Sequence, residues 1–292
     1  MSQHSTKVER YLRRVQRNDG PWLEWARLIL RYLLLVVIAL IMIGPFLWLV
    51  YLSLRTEGNI FEWPSSLSQF SAMSYEVVWN QYPIASAFKN SVLCALGAVV
   101  LTVSVASLAA YPLARFDFYG RHVIFLLLLS TLMMPFQLYM IPLFLYVQHL
   151  GLTNTLWGVF VPFAGSVFGI YLIRQHYASI PRDLEEAARV DGAGEFRLWW
   201  SVMFPLTKPA VATLAIFTFV GSWSNFLWPL IVLQDEHRQT LPVALATLSG
   251  AFVDRISYLA AGSVLAVAPV IIFFIAAQRY FLSGVTAGAV KG

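Results

Sequence analysis

Charged residues are scarce in this chain. Asp, Glu, Lys and Arg make up 12% of its 292 residues, against about 25% in an ordinary soluble domain. That shortage, beside 59% hydrophobic residues, excludes intrinsic disorder, a collagen-like fibre and an ordinary soluble enzyme. A single cysteine, Cys94, excludes a disulfide framework and a thiolate metal cluster. A P-loop needs Ser or Thr after Gly-Lys, yet the lysines here are followed by Val8, Asn90, Pro209 and Gly292. The five histidines hold no HExxH pair, and no GxSxG elbow occurs. No catalytic residue, no metal site and no cofactor bound by this chain are therefore expected.

What the chain does have is apolar length. A membrane-crossing helix needs about 20 apolar residues, because a core of about 30 Å is climbed at about 1.5 Å per residue. Six stretches are free of Asp, Glu, Lys and Arg: 32–54, 90–113, 123–147, 156–173, 209–233 and 256–278. The chain reads as an all-α membrane protein with six transmembrane helices. A basic segment, 1–31, precedes the first helix, 32–54, and a loop, 55–89. A five-helix core, 90–282, contains the long loop 174–208, and a tail, 283–292, closes the chain. The first apolar run exceeds a signal-peptide core of about 7–15 residues, so it is expected to stay as an anchor.

Six spans put both ends on one side. Sixteen lysines and arginines then fall on the side of the termini, and four (Arg55, Lys89, Arg238, Arg255) on the other. This positive-inside bias places both termini in the cytoplasm and turns 55–89, 148–155 and 234–255 outward. The net charge of +5 thus reports topology, and no nucleic-acid partner is expected. Near the N-terminus Val8, Tyr11, Leu12 and Val15 recur at helical spacing among basic residues. They form either an amphipathic helix on membrane lipid or a basic tail that fixes orientation.

No ionisable Asp, Glu, Lys or Arg lies within the spans, which suits a neutral polar solute and a driving force from outside this chain. Pro112, Pro135, Pro142, Pro162, Pro229 and Pro269 are expected to kink or break helices. Gly221–Pro229 sets two hydroxyls, an amide and two indoles beside such a break. Trp223, Asn225 and Trp228, with Gln137 as a weaker case, are candidates for a sugar path, since sugars are held by flat aromatic faces and hydrogen bonds. Interhelical packing explains the same residues equally well.

The loop Arg174–Lys208 is far longer than a helix connection needs. Ser179-Ile180-Pro181 starts a helix, and Asp183, Glu185 and Glu186 favour its positive end. Leu184, Ala187 and Ala188 share one face, and Asp191-Gly192 supplies the stop. Phe196, Trp199, Trp200 and Met203 then recur at helical spacing, which predicts an interfacial helix with its indoles at headgroup depth. Such a loop either docks a partner or packs under its own bundle.

Glu186-Ala187-Ala188, three residues, Gly192, nine residues and Val202-Met203-Phe204-Pro205 resemble the EAA loop of bacterial ABC-importer permeases, with Val202 and Phe204 in place of Ile and Leu. Ala109–Arg115, Gly151–Thr155, Leu241–Leu245 and Thr286–Gly292 extend the resemblance to the second permease subunit of maltose-type carbohydrate importers, over roughly residues 28–292. The resemblance implies a type I ABC importer permease bundle with a cytoplasmic coupling helix, in a bacterial cytoplasmic (inner) membrane. It implies a second homologous permease subunit, a dimer of ATPase subunits carrying ATP and Mg, an extracytoplasmic solute-binding protein and a small sugar as cargo. Glu186, Ala187, Ala188 and Gly192 would couple to the ATPase, and Gly288 and Lys291 would touch it from the tail. Glycerol phosphate or another polyol is the alternative cargo. A gradient-driven carrier would have no use for the docking loop, and a membrane enzyme should show paired carboxylates or a histidine cluster.

Overall fold

The computed structural model describes residues 21–55, 66–251 and 255–289. The Val8–Val15 pattern lies outside the described residues. The chain divides into two compact units, residues 1–52 and 53–292. The first is dominated by helix α1, Pro21–Leu54. Its stretch Trp25–Leu54 reaches a mean hydropathy of 2.9 and is long enough to cross a membrane. It is apolar all round, as a lipid-embedded helix is.

The second unit is helical as well. It contains α2 (Met73–Gln81), α3 (Ile84–Arg115), α4 (Arg121–Thr131), α5 (Phe136–His149), α6 (Leu156–Phe160) and α7 (Val167–Ser179). Then follow α8 (Asp183–Val190), α9 (Glu195–Leu198), α10 (Phe204–Leu206), α11 (Lys208–Trp223), α12 (Leu227–Val232), α13 (Leu241–Ala251) and α14 (Ile256–Ala289). Among the described residues, three helices are long and apolar enough to cross a membrane: Trp25–Leu54, Ile84–Arg115 and Ile256–Ala276. Three bent pairs raise the number to six when each pair counts as one span.

The bends correct the picture of six simple helices. The run 123–147 is two helices, α4 and α5, meeting at 100°. Pro135 opens α5 and pushes the residue before it out of helical conformation. At 11 and 14 residues, neither piece alone spans about 30 Å. The run 156–173 bends by 46° between Phe163 and Val167, and Ser166 caps the second piece by accepting from Gly169 N at 3.1 Å. The run 209–233 stops at Trp223 and resumes at Leu227.

Helix α3 is the centre of this unit and packs against α2, α7, α11 and α13. Its buried face repeats Ala87, Ser91, Ala95, Ala98, Thr102, Ala106 and Ala110 at every third or fourth position. Small residues let neighbouring backbones approach, which is how helices cohere in lipid. At Gly169 of α7, an added Cβ would stand 2.9 Å from Leu214 of α11 and 3.1 Å from Ala106 of α3.

Side chains also bind the loops at the Ile84 end of α3. Asn90 Nδ2 donates to the carbonyls of His237 (2.9 Å) and Gln239 (3.0 Å), and Ser91 Oγ accepts from Leu241 N at 2.8 Å. Asn154 adopts φ +56°, which asparagine tolerates better than most residues. Its Oδ1 thereby accepts from the amides of Gln234 and Asp235.

Candidate coupling helix and polar cavity

Helix α8 sits at the opposite, Arg115 end of α3. Asp183, Glu185 and Glu186 occupy its first turn, where the helix dipole favours negative charge. Its far end is a Schellman turn: Gly192 N donates to Arg189 O and Ala193 N to Ala188 O, both at 3.0 Å. Gly192 takes φ +80° to make it, a conformation that side chains other than Asn and Asp disfavour. The glycine of the E-A-A-x-x-x-G pattern is therefore demanded by the backbone.

The two glutamates diverge. Glu185 points inward and pairs with Arg115 at 2.6 Å, the two side chains being 8% and 6% exposed. Arg115 also donates through Nη2 to Ile180 O at 2.6 Å. Just past α8, Glu195 accepts from Tyr111 Oη at 3.0 Å and pairs with Arg189. The last turn of α3 thus grips the chain before α8, the first turn of α8 and the segment after it. Glu186 and Ala187 remain exposed, as do Leu184 and Val190. Ala188 turns toward the core cluster of Tyr111, Tyr177 and Trp199. The expected shared face of Leu184, Ala187 and Ala188 is divided between exterior and core.

The next segment departs from expectation too. Trp199–Met203 form a π-helical turn, which shifts side chains off the ordinary helical register. Trp199 is buried, and its Nε1 donates at 3.1 Å to Ser107 Oγ, which also shares a 2.7 Å hydrogen bond with Tyr177 Oη. Only Trp200 and Phe196 stay exposed, so one of the two indoles belongs to the core and not to a headgroup layer.

A cavity of about 300 Å³ opens between α3, the α6–α7 bend and α11. Its polar groups are Thr102, Ser166, Thr218, Ser222 and Asn225, among phenylalanine rings such as Phe163 and Phe217, and it has no charged lining residue. The volume lies at the lower end of ligand pockets, about 300–1,000 Å³. Of the four path candidates, Asn225 reaches this cavity. Trp223 is buried and donates to Ala266 O at 3.0 Å. Trp228 is fully buried between Phe136 and Phe163 and donates to Gly158 O at 3.1 Å. Pro162, four residues beyond Gly158, has no N–H to offer that carbonyl, so the indole supplies one. Gln137 is exposed on α5. Thr102 and Ser166 carry no local signal, because isolated hydroxyls in apolar spans commonly bond their own helix. Gly288 lies in the last turn of α14, and Lys291 lies outside the described residues. Among the described residues no cluster of His, Cys, Asp and Glu could hold a metal ion.

Residues 102–286 match the family described as the binding-protein-dependent transport system inner membrane component. The chain is a permease of that family. The permease is 36% identical over 283 residues to the arabinooligosaccharides transport system permease protein AraQ of Halalkalibacterium halodurans, covering 95% of this chain and 100% of the relative. It is 32% identical over 263 residues to the melibiose/raffinose/stachyose import permease protein MelC of Bacillus subtilis, covering 89% and 95%. Its structure resembles a chain of a bacterial ABC transporter involved in the import of the acidic polysaccharide alginate, with a TM-score of 0.76, 27% identity and coverage of 87% and 95%. The permease is accordingly a multi-pass inner-membrane subunit of an ABC importer that depends on a binding protein, and it is not itself the ATPase.

Proposed function

We propose that this permease forms half of the translocation path for a neutral sugar or oligosaccharide and couples that path to a cytoplasmic ATPase dimer through α8. The observation that carries the reading is the division of α8: Glu185 is anchored inside while Glu186, Ala187, Leu184 and Val190 face outward. A helix held from behind with its small and apolar residues free suits a groove on a partner. ATP and Mg act on the ATPase subunits. A second homologous permease completes the path, and a solute-binding protein delivers cargo on the outer face. Both termini lie in the cytoplasm, and the tail with Gly288 and Lys291 reaches the ATPase. ATP shifts the permease between inward-open and outward-open states only as far as it binds the two states differently.

The uncharged cavity supports a neutral cargo, with Asn225, Ser222, Thr218 and Thr102 offering hydrogen bonds and the phenylalanines offering flat faces. The alginate importer's acidic cargo favours a second reading, an anionic sugar, for which the partner permease would have to bring the positive charge. Glu186→Lys tests the coupling. The variant inserts normally, and in proteoliposomes holding the whole importer ATP hydrolysis no longer drives uptake. Normal uptake by this variant sinks the assignment of α8. Uptake competition between neutral and anionic oligosaccharides, with the co-encoded binding protein present, separates the two cargo readings.

A further inference from the structure

Between the outer loops, the cavity and α8 runs one continuous helix. We infer that α3 is the transmission rod of this permease, with the buried Arg115–Glu185 pair as the joint that makes α8 and α3 move as one body. The inference rests on α8 being the ATPase-docking helix and adds how its motion enters the bundle.

The pair is an inefficient way to gain stability. Two charges taken out of water recover little beyond what an apolar pair of similar size gives, although breaking such a pair is costly. What it does supply is direction. Arg115 Nε faces Glu185 Oε1 as an ion pair at 2.6 Å without hydrogen-bond geometry, and the fixed direction comes from its second nitrogen, Nη2, which donates to Ile180 O at 2.6 Å. Tyr111, one turn earlier on the same face of α3, holds Glu195 beyond the far end of α8. Both flanks of α8 are therefore tied to a single helical turn, across sequence separations of 65 and 84 residues.

From Arg115 the rod leads to the other working parts. Thr102, thirteen residues back, lines the cavity, about 20 Å along the axis. Asn90 and Ser91, near the far end, grip the backbone of the 237–241 loop, at roughly 37 Å from Arg115. Pro112 lies one turn from the joint, on the way to the loop, and α3 nevertheless runs through it as one helix, Ile84–Arg115. Helix α3 thus touches α8, the cavity and the outer loop.

The test uses the assembled importer with a reporter cysteine, Ser222→Cys, on the cavity wall. The native Cys94 is 1% exposed, so with the partner subunits made cysteine-free a maleimide reads the reporter. ATP with vanadate changes the reporter's labelling rate by about fivefold or more, the lower end of ordinary coupling factors. Glu185→Gln collapses that change to less than about twofold, while the ATPase still co-purifies and hydrolyses ATP. The apolar pair Arg115→Met with Glu185→Leu assembles and shows the same collapse, which separates direction from stability. Full nucleotide-dependent labelling in either variant overturns the joint. So does loss of the ATPase from both, because the pair would then only build the docking surface. Glu186→Lys in the same background reads the underlying assignment: if it keeps both the ATPase and the labelling change, α8 is not the docking helix, whatever the pair does.

Discussion

Gly192 is the position where a single methyl group should separate backbone demand from partner contact. The Schellman turn that ends α8 needs φ +80° at this residue. A Cβ there would meet nothing within 4 Å, so Gly192→Ala carries the left-handed backbone penalty alone, about 1–2 kcal/mol. That energy is a factor of about 5–30 in an equilibrium. The expected consequence is local. An eight-residue helix has little stability of its own, so the amides of Gly192 and Ala193, which close the turn onto Arg189 and Ala188, open first. Hydrogen exchange of the assembled importer, read by mass spectrometry on a peptide spanning α8, should speed up about 5–30-fold for Gly192→Ala, with α3 unchanged. Gly192→Asn should stay near wild type, because asparagine tolerates this conformation. Uptake should follow the same order. Equal exchange in the Ala and Asn variants refutes the backbone argument. Lost uptake with unchanged exchange in both would instead assign Gly192 to direct contact with the ATPase.

Two further outcomes follow from the cavity region. Trp228→Phe keeps a ring between Phe136 and Phe163 but leaves Gly158 O without its donor, at about 1–3 kcal/mol, whereas Trp228→Ala also opens a void and costs about 3–5 kcal/mol. The melting temperature of the detergent-solubilised importer should fall in that order, and a stable Trp228→Ala protein would contradict the packing role. The Asn225 side chain makes a long contact within the chain, Oδ1 accepting from Trp228 N at 3.4 Å, so Asn225→Ala should leave assembly intact while raising the apparent KM for uptake about fivefold, one lost hydrogen bond of about 1 kcal/mol. Unchanged uptake kinetics would remove Asn225 from the path.

Much of this architecture follows from local chemistry. Apolar runs locate α1, α3 and α14 because charge cannot enter a span cheaply. The proline breaks at Pro135 and after Phe163 lie where the ring chemistry predicts, yet composition says nothing of the angle: α4 and α5 meet at 100° across a turn closed by Met133 N to Ser130 O and Met134 N to Thr131 O. Within the loop, Asp191-Gly192 ends α8 as read, while α8 begins at Asp183, two residues past Pro181. The inward turn of Trp199 escaped the helical period because the chain adopts a π turn there. The Arg115–Glu185 pair joins residues 70 positions apart, and no spacing rule reaches that far. For the cavity, the residue types were readable and the direction of each side chain was not: both indoles near Pro229 turn inward, and the hydroxyl of Thr102 enters from a different helix.

The small-residue face of α3 has a bearing on temperature. In lipid no water is released when helices meet, so their cohesion comes from close contact between surfaces. Water-driven cores weaken on cooling as apolar hydration becomes less unfavourable. A seam of Ala87, Ser91, Ala95, Ala98, Ala106 and Ala110 has no such dependence. In the cold, the surrounding acyl chains should stiffen and slow transport before the seam itself loosens.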